Sequence, residues 1–323
     1  MSLIFNNNLL IEKKIAYNIF EKNYKEEIIN KVDLGKDMNQ MSEFYSNNSD
    51  NNKVIEICNQ GKIIIMGGFY DGKIKIKFLS FESSLTEKNS LEIIPFNDDS
   101  VILSIAVDSD EEYLFLGNSK GNVALYKMDI EKKKFNELLI LSDQMSPICH
   151  IHCSSILNLW ISTSIDGYIN LYTLPLCKLV RSIKLQEKKC SFSFLISSPI
   201  PCIIVICDEG GNSEIFVYSI NGKIISKKQE YFQINKPIII KDAYFNEYMA
   251  YLGKNSVYII KLPNLELMLN IDGIKNSHIL CCNENMTTLY LLNKSGSETN
   301  LIRDEEKKNI RPSSFVMKNL GHI

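Results

Sequence analysis

The chain has 323 residues, of which 45% are hydrophobic and 23% charged, values that exclude a wholly disordered or fibrous protein and allow a large core. A formal net charge of −2 leaves no overall electrostatic footprint for a phosphate backbone, so no nucleic-acid partner is expected. No stretch approaches the roughly 18 apolar residues of a membrane-spanning helix, and the N-terminus lacks a basic run followed by an apolar one, so any membrane association is expected to be peripheral.

In chain order, residues 1–52 open with short apolar runs, Leu3-Ile4-Phe5, Leu9-Leu10-Ile11 and Ile15-Ala16-Tyr17, separated by polar turns. Asp37 to Asn52, rich in Asn, Ser and Met, reads as a surface insertion. From residue 53 onward one unit recurs: an apolar strand, a tight polar turn holding Gly or Asn, and a second strand. The turn marks are Gly72, Gly121, Gly167, Gly211, Asn255 and Gly296, separated by 49, 46, 44, 44 and 41 residues, against about 40 to 45 for a four-stranded propeller blade. An aromatic closes the strand after three of these turns, Tyr126, Tyr172 and Tyr218, with Ile260 at the next equivalent place. Leu174-Pro175 and Leu262-Pro263 follow those strands, where a proline suits the exit toward an outer edge strand. The tail from Glu305 to Arg311 is charged, and Ser314-Phe315-Val316-Met317 reads as a closing strand.

A blade cannot bury both of its faces alone, so the repeats are expected to close into a ring, and truncation at either end is expected to be severe. The expected fold is all-β, a single seven-bladed β-propeller over residues 1–323. Residues 1–52 form its first blade with the insertion, 53–304 six further blades, and 305–323 the tail.

Motifs that could carry chemistry read as structure. Gly67-Gly68-Phe69-Tyr70-Asp71-Gly72-Lys73 matches part of a phosphate-binding loop, but Ile74 has no hydroxyl for Mg²⁺ and Ile74-Lys75-Ile76 alternates like a strand, so a hairpin is expected. Cys149-His150-Ile151-His152-Cys153 is the densest group of metal-ligand types. On a strand its histidines share one face and its sulfurs the other, and His278 and His322 are the only further histidines, so no metal site is expected. The nine cysteines, Cys58, Cys149, Cys153, Cys177, Cys190, Cys202, Cys207, Cys281 and Cys282, show no C-x-x-C spacing and fit buried thiols of a reducing cytosol, the adjacent Cys281-Cys282 pair included. Trp160, the single tryptophan, is expected in or near the core. The basic runs Lys132-Lys133-Lys134 and Lys307-Lys308 read as solvated loops, and the acceptor-like triplets at Asn47, Asn285 and Asn293 as chance matches. No catalytic residue, no cofactor site and no particular binding residue is identified.

The repeats resemble degenerate WD40 repeats: Asp71-Gly72 and Asp166-Gly167 keep the turn, the tyrosines stand where such a blade carries its Trp, and Trp-Asp and Gly-His dipeptides are missing. That departure puts the family's strand-turn bonding network in doubt. Four stretches are similar to the C-terminal propeller of BEACH-domain proteins, the neurobeachin and beige group: Met66 to Ile76, Ser164 to Leu174, Ser197 to Ile203 and Val217 to Lys223. The resemblance covers roughly residues 55 to 270 and implies a scaffold in membrane trafficking, vesicle fusion or autophagy. It further implies protein or peptide partners, a neighbouring BEACH or pleckstrin-like module in the same polypeptide, and a cytoplasmic location, peripheral on intracellular membranes. Two alternatives stay open: a structural subunit of a coat or other cytosolic complex, and a small-ligand or metal-binding propeller. The latter needs convergent polar groups on inner strands, whereas Ile102 to Val107 and Ile238 to Ile240 are mainly apolar.

Overall fold

The sequence units fold into four-stranded antiparallel sheets in a computed structural model, which describes residues 14–18, 23–27, 54–58, 63–78, 90–185, 188–241, 246–253, 256–272, 277–282 and 288–293. Sheet 1 holds β3 (Val54–Cys58), β4 (Ile63–Gly67), β5 (Ile74–Phe78) and β6 (Ser90–Ile93); sheet 2 holds β7 (Ile102–Val107), β8 (Tyr113–Asn118), β9 (Val123–Asp129) and β10 (Lys134–Leu141). Sheet 3 is β11 (Ile148–Ser154), β12 (Leu159–Ser164), β13 (Tyr168–Thr173) and β14 (Leu179–Lys184); sheet 4 is β15 (Lys189–Ile196), β16 (Cys202–Glu209), β17 (Asn212–Ser219) and β18 (Ile224–Glu230). Sheet 5 is β19 (Asn235–Lys241), β20 (Glu247–Leu252), β21 (Ser256–Lys261) and β22 (Glu266–Asp272). A sixth sheet joins the two ends of the chain: β1 (Lys14–Asn18) and β2 (Asn23–Glu27) continue β23 (Ser277–Cys282) and β24 (Thr288–Asn293) in the order β2-β1-β24-β23. The run Ile15-Ala16-Tyr17 thus shares a sheet with C-terminal strands, while Leu3-Ile4-Phe5, Leu9-Leu10-Ile11 and the turn mark Asn255 lie outside the described residues. The Asp37–Asn52 insertion, Gly296 and the tail lie outside the described residues.

Within a sheet the composition of each strand follows its depth. Two second strands, Ile63–Gly67 and Cys202–Cys207, are buried on both sides and read as apolar runs rich in β-branched residues, which pack well on a pleated surface. The fourth strands alternate or are open to solvent, as in β10 and β14, the pattern of a sheet edge facing water. First strands of successive sheets touch one another, β3 with β7, β7 with β11, β11 with β15 and β19 with β23. The first strands therefore lie innermost.

Between successive sheets lies a buried layer. Ile65 and Ile76 of sheet 1 meet Leu114 and Leu116 of sheet 2; Phe115 and Leu125 of sheet 2 meet Trp160 and Tyr172 of sheet 3; Ile161 and Leu171 meet Ile203 and Val205 of sheet 4; Ile204 and Val217 meet Met249 and Ile260 of sheet 5. Alternate residues of a strand face opposite neighbours, so every inner sheet is glued on two sides. This is a propeller-like architecture. Tyr126, Tyr172, Tyr218 and Ile260 all sit in third strands and are buried, and Tyr172 stacks on Trp160 with ring centroids 4.2 Å apart. The Gly67–Lys73 stretch is the end of β4 and its turn into β5, which carries no helix N-terminus for a phosphate.

The turns between second and third strands lock onto the connections between sheets. Gly121 has φ +92°, and a Cβ there would strike the carbonyl of Gln144, so both its backbone and its surroundings require glycine. Gln144 in turn accepts from the Ser162 hydroxyl at 2.9 Å and donates to the Tyr168 carbonyl at 3.0 Å, while Tyr172 Oη donates to Asp143 at 3.2 Å. These bonds tie the turns of sheets 2 and 3 to the connection between them.

Trp160 is fully buried, and its truncation to Ala is expected to lower the unfolding free energy by about 3 to 5 kcal/mol. Met145→Ala, at a residue 99% exposed, should stay within about 0.5 kcal/mol. Urea titrations of the two variants check the contrast.

Candidate functional site

The histidines of β11 are the first candidate, because they lie on an innermost strand. His150 Nδ1 accepts from the backbone N–H of Ser193 at 3.4 Å, and His152 Nδ1 from that of Leu195 at 3.1 Å. Both rings also pack on the phenylalanines of β15, His150 with Phe192 and Phe194 at 5.5 and 5.1 Å and His152 with Phe194 at 5.4 Å. A ring whose Nδ1 accepts a hydrogen bond carries its proton on Nε2 when neutral, which leaves no free lone pair for a metal. Burial pushes the His150 pKa down to about 4. The pair therefore rivets sheet 3 to sheet 4.

The cysteines beside them depart from the expected shared face. A register shift between Ile148 and His150 turns Cys149 toward sheet 4, where it packs with Cys190 and Cys207, while Cys153 packs toward sheet 2 with Phe115. A bulge adds one residue to one strand and so breaks the strict alternation on which the expectation rested. Burial pushes the Cys149 thiol up to about 12, and Cys149 Sγ donates to the Thr163 carbonyl at 3.2 Å; such a thiol is a poor nucleophile. Glu56 on β3 is an inner-strand carboxylate, and burial raises its pKa to about 7. Among the described residues no group of three or more His, Cys, Asp or Glu is arranged to hold a metal ion. Cys281, Cys282 and His278 lie on β23, where the backbone alone is described, and His322 lies outside the described residues.

The second candidate is the upper end of the sheets, where the turns between second and third strands alternate with the sheet-to-sheet connections. Over sheets 1 to 3 these segments are 68–73, 94–101, 119–122, 142–147 and 165–167. They interlock: Lys120 Nζ lies 3.1 Å from Asp98, Val101 N–H donates to Ser119 Oγ at 3.1 Å, and Gly121 abuts Gln144. Out of this rigid belt project large apolar side chains, Met145 at 99% exposure and Tyr70 at 70%, with Ile94 and Ile165 also exposed. Around them stand exposed Asp71, Asp99, Asp143 and Asp166 and half-buried Asp98. The two lysines of the same segments are engaged by carboxylates, Lys73 by Asp71 at 3.3 Å and Lys120 by Asp98. The field of this belt is negative.

Sequence reasoning singled out the glycines of these turns but passed over the residues beside them. Met145, Ile94 and Ile165 look like core residues by type, and only their place next to a turn residue could have signalled exposure. Glu247 escaped notice as well. It is buried at the lower end of β20 and accepts from Ser197 N–H at 2.7 Å, Ser197 Oγ–H at 3.0 Å and Ser198 N–H at 3.0 Å, clamping sheet 5 to the first turn of sheet 4.

Fold and surface together define a propeller-like protein that offers turn-built faces. No protein-family model matches the chain, and no curated protein sequence is similar to it. Solved structures are similar in fold. A chain of the mitotic checkpoint complex superposes with a TM-score of 0.53 at 9% identity, over 68% of this chain and 65% of that one. A chain of Kuenenia stuttgartiensis hydrazine synthase does so with a TM-score of 0.51 at 13% identity, over 73% and 72%. At such identities the likeness concerns the fold alone, and the first match leaves more than a third of the checkpoint-complex chain uncovered.

Because the folded His150 pKa lies near 4 against an ordinary value of 6.5, the unfolded chain takes up the proton first as the pH falls. The stability contributed by the neutral ring is complete above about pH 6.5 and is lost progressively toward pH 4, by about 3 kcal/mol in all. Denaturant titrations from pH 7 to pH 4 are expected to show a steeper loss for the wild type than for His150→Gln, which can still accept a hydrogen bond but does not titrate.

Proposed function

We propose that the chain is a non-enzymatic interaction scaffold whose upper face, over sheets 1 to 3, takes a basic peptide segment carrying an apolar anchor. The observation that carries this reading is the exposure of Met145, Tyr70, Ile94 and Ile165 on the same turns and connections that carry exposed Asp71, Asp99, Asp143 and Asp166. Exposed apolar residues grouped on a rigid scaffold mark interaction sites, and rim charges steer a partner of opposite sign. The engagement of His150 and His152 by backbone donors supports a scaffold over an enzyme, and the scaffold needs no cofactor.

The finer reading is a WD40 propeller of the BEACH-domain group serving membrane trafficking, beside a BEACH or pleckstrin-like module of the same polypeptide. The stretches Met66 to Ile76, Ser164 to Leu174, Ser197 to Ile203 and Val217 to Lys223 support it. This reading keeps seven blades, one more than the six sheets formed by the described residues. It places the protein in the cytoplasm, peripheral on intracellular membranes.

Selection of a random peptide display library against the full chain tests the upper face. Enriched peptides are expected to combine Lys or Arg with a large apolar residue. The variant Asp99→Lys, Met145→Ser should weaken their binding by about tenfold or more, and added salt should weaken it for the wild type. Enrichment of acidic peptides, or undiminished binding by the variant, would refute the assignment.

A further inference from the structure

The lower end of sheets 3 and 4 has the opposite chemistry. Its turns are 155–158 and 174–178 in sheet 3 and 197–201 and 220–223 in sheet 4, and none of them contains a carboxylate. At their tips Ile156, Leu176 and Ile200 are 70%, 68% and 56% exposed. Behind the tips the outer strands begin with further exposed apolar residues, Leu179 of β14 and Ile224 of β18.

Three cations share this edge: exposed Lys178, Arg181 and Lys223. Among the described residues none of the three side chains is in an ion pair. The edge is continuous, because the turn holding Gly222 rests on the outer strand of sheet 3, where a Cβ would lie 3.5 Å from Arg181 Cδ and 3.4 Å from Ile183 Cγ1. Glu247 lies under the 197–201 turn, but its carboxylate is buried and bonded by Ser197 and Ser198. The corresponding turns of sheet 2 are different, with Asp110, Glu111, Glu112 and Glu131.

We infer that the lower edge of sheets 3 and 4 rests on an anionic lipid surface, inserting Ile156, Leu176 and Ile200 between headgroups while Lys178, Arg181 and Lys223 meet the lipid charge. Uncompensated cations next to projecting apolar tips suit a surface that is negative outside and apolar just beneath. Separate turn tips, each exposed by more than half, are shaped to enter a yielding interface. The inference does not rest on the upper-face reading, since the two sites lie at opposite ends of the sheets.

Co-sedimentation of the full chain with phosphatidylcholine vesicles, with and without about 30% phosphatidylserine, tests it. Binding is expected to the anionic vesicles alone, and to weaken as salt rises. Two variants, Lys178→Glu with Arg181→Glu and Lys223→Glu, and Leu176→Ser with Ile200→Ser, should each raise the lipid concentration for half-binding at least about tenfold. All five side chains are exposed, so circular dichroism should match the wild type, and the upper-face variant Asp99→Lys, Met145→Ser should bind vesicles as the wild type does. Equal sedimentation with neutral vesicles, no sedimentation with either, or unchanged binding by both edge variants overturns the inference. Capture of a soluble acidic protein through these residues by a chain that ignores vesicles overturns it too.

Discussion

The antiparallel pairing of β1 with β24 is the constraint on which the architecture depends. Five residue pairs, from Lys14 with Leu292 to Asn18 with Thr288, join strands from opposite ends of the chain. Without them β24 would present an open edge, and the sixth sheet would consist of the single hairpin β23–β24, which is marginal alone. Every other sheet is built from strands consecutive in sequence, so its pairing is local and its loops are cheap to close. The terminal pairing alone spans nearly the whole described chain, and it ties the first and last strands into one body.

Between sheets, apolar layers supply the bulk of the cohesion while buried polar groups fix the alignment. Thr163 Oγ1 donates to Ser193 Oγ at 2.6 Å, Ser155 Oγ to Asp108 at 3.3 Å, Tyr251 Oη to Glu230 at 2.7 Å, and Glu247 holds the turn at Ser197. Each such bond adds only about 1 kcal/mol net, or somewhat more to a carboxylate, but a slip of one sheet against the next would leave a buried group unpaired at a larger cost. The histidines of β11 act in the same way. Rigid alignment matters for the surfaces, because turns fixed by these bonds present their side chains in set positions. Exposed carboxylates stand at the upper end of sheets 1 to 3, and the cations outside any described ion pair at the lower end of sheets 3 and 4, so the chain carries two local surfaces of opposite sign.

Much of the fold was legible in the sequence because the repeat obeys two physical rules at fixed spacing. Gly72, Gly121, Gly167 and Gly211 each adopt positive φ between a second and a third strand, and the runs flanking them are apolar because those strands are buried on both faces. The third-strand aromatics at 126, 172 and 218, which mark the repeat, are buried. The partner of the N-terminal strands was not legible, because strand pairing across the whole chain leaves no local signature. Neither was the turning of Cys149, since a bulge depends on the register of the neighbouring strand and not on composition. The candidate surfaces were the least visible: nothing in the residue types of Met145 or Ile200 distinguishes a projecting tip from a buried one, and nothing near Glu247 in sequence announces Ser197 as its partner.

The pairing of β1 with β24 can be measured directly by cross-linking. Ala16 lies opposite Tyr290 in the register, so the double variant Ala16→Cys, Tyr290→Cys, oxidised under native conditions and digested, is predicted to yield a disulfide between the peptides carrying the two positions. The offset pair Ala16→Cys, Leu291→Cys should yield much less, because adjacent residues of a strand point to opposite faces. Absence of the disulfide in the first double variant, or equal yield from the offset pair, would contradict the joining of the chain ends in one sheet and with it the architecture on which both surfaces stand.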